Sequence, residues 1–150
     1  MRIYIGADHR GFELKEVVKK YLKEEEIEAQ DVGNREFDPE DDYTTYALKV
    51  AEMIEGAEKS DRGILICGSG HGMEIVANRF SHVRAILAYN DEVTQQGRED
   101  EDANIMILAA DWVDAEEIEE RVRIFLTTEA SEEARHIRRR EMLSQIETRR

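Results

Sequence analysis

The residues best suited to chemistry stand in one short stretch, a single cysteine followed by glycines at alternate positions. Cys67 ends the apolar run 63–66, and Gly68, Gly70 and Gly72 follow it. If the run is a parallel strand, the thiol lies at the sheet edge where ligands bind in α/β folds. Because glycine adopts positive φ freely, such a turn can direct several backbone N–H groups into one concavity. The stretch therefore predicts a site for forming and holding an oxyanion.

A second candidate site is a concentration of positive charge near the C-terminus, in residues 135–140. Arg135 and Arg139 are four positions apart, so on a helix they project from the same face. Two guanidiniums placed in this way could clamp one phosphate. We expect Arg138 and Arg140 to point to solvent or to glutamates. A solvated helix face is the simpler interpretation and remains an alternative.

Length and charge limit the classes of protein to consider. The 150 residues suit one domain over 1–150, and the formal net charge of −14 argues against nucleic acid or an anionic membrane as the main partner. No apolar run approaches the roughly 20 residues of a membrane helix. Residues 1–6 are too short and too quickly polar for a signal peptide. The single cysteine favours a reducing compartment, so we expect a cytoplasmic protein.

Apolar periodicity predicts the elements that must position these residues. Strands are expected at 2–6, 26–32, 63–66, 84–88 and 104–109, and helices at 11–24, 43–54, 73–80, 91–99, 115–126 and 129–146. Regular alternation of strand and helix predicts an α/β fold with parallel strands. We expect a doubly wound three-layer sandwich with a five-stranded parallel sheet, Rossmann-like, and a long C-terminal helix.

Six motifs, in order along the chain, resemble those of the type B ribose-5-phosphate isomerases and their galactose-6-phosphate isomerase relatives. They lie at residues 6–15, 31–33, 42–43, 66–79, 84–85 and 135–139, so the resemblance covers nearly the whole chain. It implies an aldose–ketose isomerisation of a phosphorylated sugar, such as ribose 5-phosphate to ribulose 5-phosphate, through a cis-enediolate. It implies no cofactor and no metal ion, and His71 and His82 lack the spacing of metal ligands.

The resemblance also implies roles for matching residues of the glycine turn. Cys67 takes the position of the catalytic base, and the N–H groups of the turn and the following helix should favour its thiolate. Glu74 is a weaker candidate base. Ser69 resembles the hydroxyl that relays protons between the two oxygens, although a plain turn residue is an equal alternative. The enediolate would be stabilised by the backbone N–H groups of the turn, those of Gly68, Gly70, His71 and Gly72.

Residues outside the turn complete the implied binding site. Asp8 and His9 resemble a pair that contacts the sugar and its phosphate, with an exposed histidine as the simpler alternative. Tyr43 resembles a sugar-facing tyrosine, with packing at a helix start as the alternative. We expect residues 41–42 to be loop and helix-capping residues.

Two positions depart from the family pattern. Asp100 stands where many members carry a histidine that resembles the acid/base catalyst of ring opening, and Asp111 stands where many carry a phosphate-contacting arginine. One hypothesis is that Asp100 replaces the histidine as acid/base. The other is that the chain prefers an acyclic or shorter sugar phosphate, because a tetrose 4-phosphate cannot close a furanose ring.

The resemblance implies a homodimer, or a dimer of dimers, whose active sites are shared between subunits. Cys67 would belong to one subunit, with Asp100, Arg135 and Arg139 coming from its partner. A non-catalytic subunit that binds a sugar phosphate remains an alternative. A nucleotide-binding protein is disfavoured, because the chain lacks a Gly-x-Gly-x-x-Gly fingerprint followed by an acid, and lacks a Walker lysine.

Overall fold

The computed structural model describes residues 1–147, and its strands and helices alternate as predicted. The strands are β1 (Ile3–Ala7), β2 (Ala29–Asp31), β3 (Arg62–Cys67), β4 (Ala85–Leu87) and β5 (Ile105–Ala109). The helices are α1 (Phe12–Glu24), α2 (Tyr43–Glu55), α3 (His71–Ala77), α4 (Asp91–Glu101), α5 (Ile118–Thr127) and α6 (Ala134–Glu147), with a 3₁₀ turn at Ala115–Glu117. The predicted α/β fold with a five-stranded parallel sheet is confirmed.

The sheet has the order β2-β1-β3-β5-β4, and every neighbouring pair is parallel. The chain leaves β1 for β2 on one side and returns to β3 on the other, so the strand order reverses between β1 and β3. Ala7 pairs with Ile66, and Cys67 pairs with Ala109. The three central strands therefore end level with one another, at the reversal point where open α/β sheets bind ligands.

Strand residues alternate between two apolar layers, one on each face of the sheet. Ile5, Ile64 and Met106 pack in the layer under α1 and α5. Tyr4, Leu65 and Cys67 pack in the layer under α2 and α3, with residues such as Val50 and Met73. Because both faces are covered, the strands are almost continuously apolar. The thiol of Cys67 therefore points into the layer formed by α2 and α3.

The second strand is shorter than predicted, because its first residues end α1 instead. Glu26 has a φ of 57°, and the Ile27 N–H donates to Leu22 O at 2.8 Å. These contacts satisfy carbonyls at the helix end. Only residues 29–31 remain to pair with β1.

The last helix begins at Ala134, five residues later than predicted. The carbonyl oxygens of Thr128 and Ser131 accept hydrogen bonds from the side chains of Arg98 (3.3 Å) and Arg140 (2.7 Å). Their acceptors are thus satisfied by tertiary contacts. The Ser131 N–H also donates to Glu99 O at 2.8 Å, so the backbone between α5 and α6 is held against α4 by contacts that no local pattern could indicate.

Candidate active site

The glycine turn after β3 wraps around the sulfur of Cys67. The Gly70 N–H donates to Sγ at 3.1 Å, and the thiol group is buried, at 5% exposure. Gly70 has a φ of 80°, and a Cβ there would lie 2.4 Å from Leu87 Cδ1. The position therefore requires glycine for both its conformation and its space. Ser69 is exposed on the open side of this turn, as is His71 at the start of α3.

Burial raises the pKa of the Cys67 thiol, and the nearby carboxylate of Asp8 raises it further. Hydrogen bonds from the N–H groups of Gly70, Met73 and Ser69 act in the opposite direction. The turn thus favours the thiolate as predicted, but desolvation outweighs it. The sulfur is consequently a weak acid whose conjugate base is correspondingly strong.

Asp8 and His9 follow β1 directly and lie beside Cys67 at the same edge of the sheet. Asp8 is buried, and its Oδ1 accepts the N–H groups of Arg10 and Gly11, both at 3.0 Å. Burial raises the Asp8 pKa, although these two hydrogen bonds and His9 oppose the rise. Asp8 is therefore close enough to Cys67 for its charge to affect the thiol.

Asp41 orients His9, a role that sequence analysis missed. Its carboxylate is 5% exposed, lies 2.8 Å from His9 Nδ1 and accepts the His9 N–H at 3.0 Å. Asn34 Nδ2 donates to the other carboxylate oxygen at 3.2 Å. The hydrogen bond to Asp41 raises the His9 pKa. Burial and the same carboxylate raise the pKa of Tyr46 to about 12.

Asp41 and Asp42 differ in what their side chains do, although both were expected to be loop or cap residues. Asp42 occupies the N-cap of α2, but its side chain makes no capping hydrogen bond. The carboxylate of Asp41 turns away from the helix to His9. No sequence signal separates the two, because the contact joins residues that are 32 positions apart.

Tyr43, the first residue of α2, packs against the glycine turn. A Cβ on Gly72 would lie 2.6 Å from the Tyr43 ring, so the close approach depends on glycine. The tyrosine is partly exposed and borders the site.

Glu74, the weaker candidate base, accepts the Leu87 N–H at 3.1 Å. Its carboxylate therefore ties α3 to β4.

Arg10 and Asp111 meet at the opening of the site. Arg10 Nη2 forms an ion pair with Asp111 Oδ2, and the Asp111 N–H donates to Gly68 O at 3.1 Å. A Cβ on Gly68 would lie 2.6 Å from Arg10 Nε, so the arginine rests directly on the turn. Sequence analysis identified the unusual acid at 111 but missed its partner, since 101 positions separate them.

The other predicted site residues lie at the opposite edge of the sheet. Helix α4 runs back from the carboxyl edge, so Asp100 in its last turn lies near the start of β5. Asp100 Oδ1 is 3.4 Å from Nδ1 of the buried His136. Arg135 Nε lies 3.0 Å from His136 Nε2 and 2.8 Å from Glu133 Oε2. Arg139 is exposed on α6.

The expectation for Arg140 was wrong. Its guanidinium donates to the carbonyl oxygens of Asp100 at 3.1 Å and Ser131 at 2.7 Å. Carbonyls at a helix C-terminus lack helical partners, so a cation there is favourable. Arg140 therefore fixes α6 against α4. One chain does not bring Asp100, Arg135 and Arg139 to Cys67.

Comparison with known proteins agrees with the motifs and the fold. Residues 3–143 match the Ribose/Galactose Isomerase family. The chain belongs to this family. A curated relative from Mycolicibacterium paratuberculosis, "Ribose-5-phosphate isomerase B", is 33% identical over 147 residues, covering 98% of this chain and 92% of the relative. One from Mycoplasma pneumoniae, "Probable ribose-5-phosphate isomerase B", is 38% identical, covering 77% and 75%.

Solved structures show the same architecture. Ribose-5-phosphate isomerase B from Mycoplasma genitalium, with bound ribulose-5-phosphate, has a TM-score of 0.93 and 33% identity, covering 98% of this chain and 96% of that one. The Clostridium thermocellum ribose-5-phosphate isomerase B has a TM-score of 0.92 and 35% identity, with 99% of each chain covered. The family and fold predicted from the sequence are thus confirmed.

Proposed function

We propose that this chain is an aldose–ketose isomerase of a phosphorylated sugar, with Cys67 as the base. The observation that carries the proposal is the placement of a buried thiol at the strand-order reversal, in hydrogen-bond contact with the Gly70 N–H and beside Asp8 and His9. Membership of the Ribose/Galactose Isomerase family supports the same reaction class.

The proposed reaction moves one proton between neighbouring carbons. The Cys67 thiolate removes the proton from the carbon beside the carbonyl, and the electron pair of the C–H bond forms a cis-enediolate. The same thiol returns the proton to the adjacent carbon, while Ser69 passes a hydroxyl proton between the two oxygens. A thiol whose pKa is raised by burial forms a stronger base. The Gly70 N–H, expected to face the oxyanion, faces the sulfur instead, so the oxyanion is stabilised by other N–H groups of the turn. One such donor contributes roughly 3–4 kcal/mol in other enzymes.

His9 and Tyr43 complete the proposed sugar-phosphate site within the chain. Asp41 holds the His9 imidazole by Nδ1, so Nε2 is available to the substrate. The higher pKa of His9 favours its cationic form, which attracts a phosphate. Tyr43 borders the turn with its ring against Gly72.

We propose that a second copy of the chain supplies Asp100, Arg135 and Arg139, in a homodimer or a dimer of dimers. The support is their position at the opposite edge of the sheet from Cys67. A mixing experiment tests this. Cys67→Ala and the double variant Arg135→Ala/Arg139→Ala are each expected to be inactive alone, but a mixed dimer contains one intact site. Inactivity of the mixture after subunit exchange would argue for sites confined to one chain.

We propose ribose 5-phosphate as a substrate, with tetrose 4-phosphates as the alternative that Asp100 favours. Turnover is compared on ribose 5-phosphate, erythrose 4-phosphate and allose 6-phosphate, with Cys67→Ala alongside. Loss of a positioned base is expected to lower kcat by about 10²–10⁴ while ligand binding persists. Full activity in Cys67→Ala would rule out this base. Binding without turnover in the wild type would support the non-catalytic subunit instead.

We further propose that the protein works in the cytoplasm, since Cys67 is an unpaired thiol. Across residues 1–147, no helix has the length and apolar character needed to cross a membrane. Fractionation of the source cells followed by immunoblotting measures the location, and recovery of the protein outside the cytoplasmic fraction would contradict it.

A further inference from the structure

The ion pair of Arg10 and Asp111 has no role in the reaction described above. The two side chains are 56% and 33% exposed at the opening of the Cys67 site. Exposed ion pairs contribute little to the stability of a fold. The pair nevertheless lies against the glycine turn next to Cys67, so its effect should be sought in binding.

The structure fixes the position of the Arg10 guanidinium. Asp111 is tied to the glycine turn through its N–H, which donates to Gly68 O at 3.1 Å, and its carboxylate holds Arg10. The Arg10 N–H in turn donates to Asp8 Oδ1 at 3.0 Å. A Cβ on Gly68 would meet Arg10 Cζ at 2.8 Å. The planar group therefore lies over the first glycine after the proposed base.

We infer that Arg10 contacts the phosphate of the substrate and that Asp111 is the positioning residue that holds it there, an inference that rests on the proposed isomerase function. Cys67 is buried, whereas the ion pair is exposed. The guanidinium lies over Gly68, the residue after Cys67, so it is within reach of the phosphate of a substrate whose reacting carbons approach the thiol from the exposed side. The planar fork of arginine carries several N–H donors that match phosphate oxygens, and Asp111 engages Nη2.

Asp111 has two opposing effects on phosphate binding. By holding Arg10 in place, it reduces the side-chain freedom that binding would otherwise remove. Its own negative charge repels the phosphate, and Arg10, which pairs with it directly, offsets that repulsion. The two positions are therefore coupled: removing Arg10 alone should do more harm than removing both side chains.

The test compares Arg10→Ala with Arg10→Ala/Asp111→Ala. Losing a charge-assisted contact is expected to raise KM for the sugar phosphate roughly 10- to 100-fold, with kcat nearly unchanged. The double variant should recover part of this loss. Arg123→Ala is the matched control, because Arg123 and Glu120 form an exposed ion pair (53% and 52%) on α5. Calorimetric titration with inorganic phosphate should give the same order of affinities.

The outcomes separate this inference from the proposed function. An active wild type whose KM is unchanged in Arg10→Ala would refute the phosphate contact alone. A double variant that binds more weakly than Arg10→Ala would refute the coupling to Asp111. A wild type that isomerises none of the sugars, but binds inorganic phosphate through Arg10, would refute the isomerase and support the contact. Equal phosphate affinity in Arg10→Ala and wild type would overturn the inference.

Discussion

Gly70→Ala should damage both the stability and the activity of the protein, because this glycine is required twice over. Its φ of 80° costs an alanine roughly 1–2 kcal/mol. The added Cβ would also lie 2.4 Å from Leu87 Cδ1 and 3.1 Å from Ile107 Cγ2, an overpacking that typically costs about 1–3 kcal/mol. We expect a loss of about 2–5 kcal/mol in the free energy of unfolding, or roughly 4–20 °C in Tm.

In the wild type the Gly70 N–H donates to Cys67 Sγ at 3.1 Å. The same substitution should displace this N–H from the sulfur. A hydrogen bond to a charged group contributes about 1.5–3 kcal/mol, so losing this donor to the thiolate should lower kcat roughly 10- to 100-fold. Gly56→Ala is the matched control, because Gly56 has a φ of −97° and its Cβ would meet only Glu52 O at 3.9 Å. Thermal unfolding and turnover are measured for both. A Gly70→Ala protein as stable and as active as Gly56→Ala would refute the strained, sulfur-binding turn.

Two further predictions concern ionisable groups. Asp41→Asn removes the carboxylate charge that strengthens this hydrogen bond and raises the His9 pKa, so the NMR titration of His9 should move to lower pH. As pH rises, phosphate affinity should then be lost at a lower pH than in wild type. Asp42→Asn is the control, since its side chain caps nothing, and an unmoved His9 titration in Asp41→Asn would contradict the assignment. Asp31→Asn leaves Lys15 buried without its carboxylate at 3.0 Å, at a cost of about 3 kcal/mol near neutral pH. Burial opposes ionisation of Asp31, but hydrogen bonds from Lys19, Lys15 and the Gly33 N–H outweigh it and lower its pKa. Its contribution is therefore present above about pH 4 and is lost as pH falls, so denaturant curves of variant and wild type should converge in acid; a gap that stays constant would refute this.

The fold and the glycine turn around Cys67 could be predicted from the sequence because their signals are local. Apolar periodicity indicates strand or helix within a few residues, and alternation of the two predicts parallel strands. Cys67 and its glycines are close together in the chain, so the turn can be recognised from this short stretch of sequence alone. The predicted bounds of β2 and α6 were wrong. The start of β2 depends on how the backbone ends α1, and the start of α6 depends on hydrogen bonds from the guanidiniums of Arg98 and Arg140.

The residues that sequence analysis missed all act through contacts between distant parts of the chain. In the sequence Asp41 is one of several acids in a polar loop. Only its contact with His9, which the fold creates, distinguishes it from the others. In the sequence Arg10 is an ordinary arginine. Its ion pair with Asp111 forms because β1 and β5 end beside the same turn. Composition and spacing contain no information about such pairs. Only the register of the central strands, with Cys67 level with Ala109, brings them together.

Under the proposed function, a chain with a net charge of −14 binds a dianion at this edge of the sheet, and the contacts of its acids there are consistent with that. Asp8 accepts two backbone N–H groups, Asp41 holds the His9 imidazole, and Asp111 holds Arg10. Each carboxylate thus faces a donor of its own rather than the substrate. Two of the three also fix the orientation of a cationic or potentially cationic group. Asp41 and Asp111 therefore position positive charges of the site, and neutralising Asp41 should weaken anion binding because His9 loses its orientation.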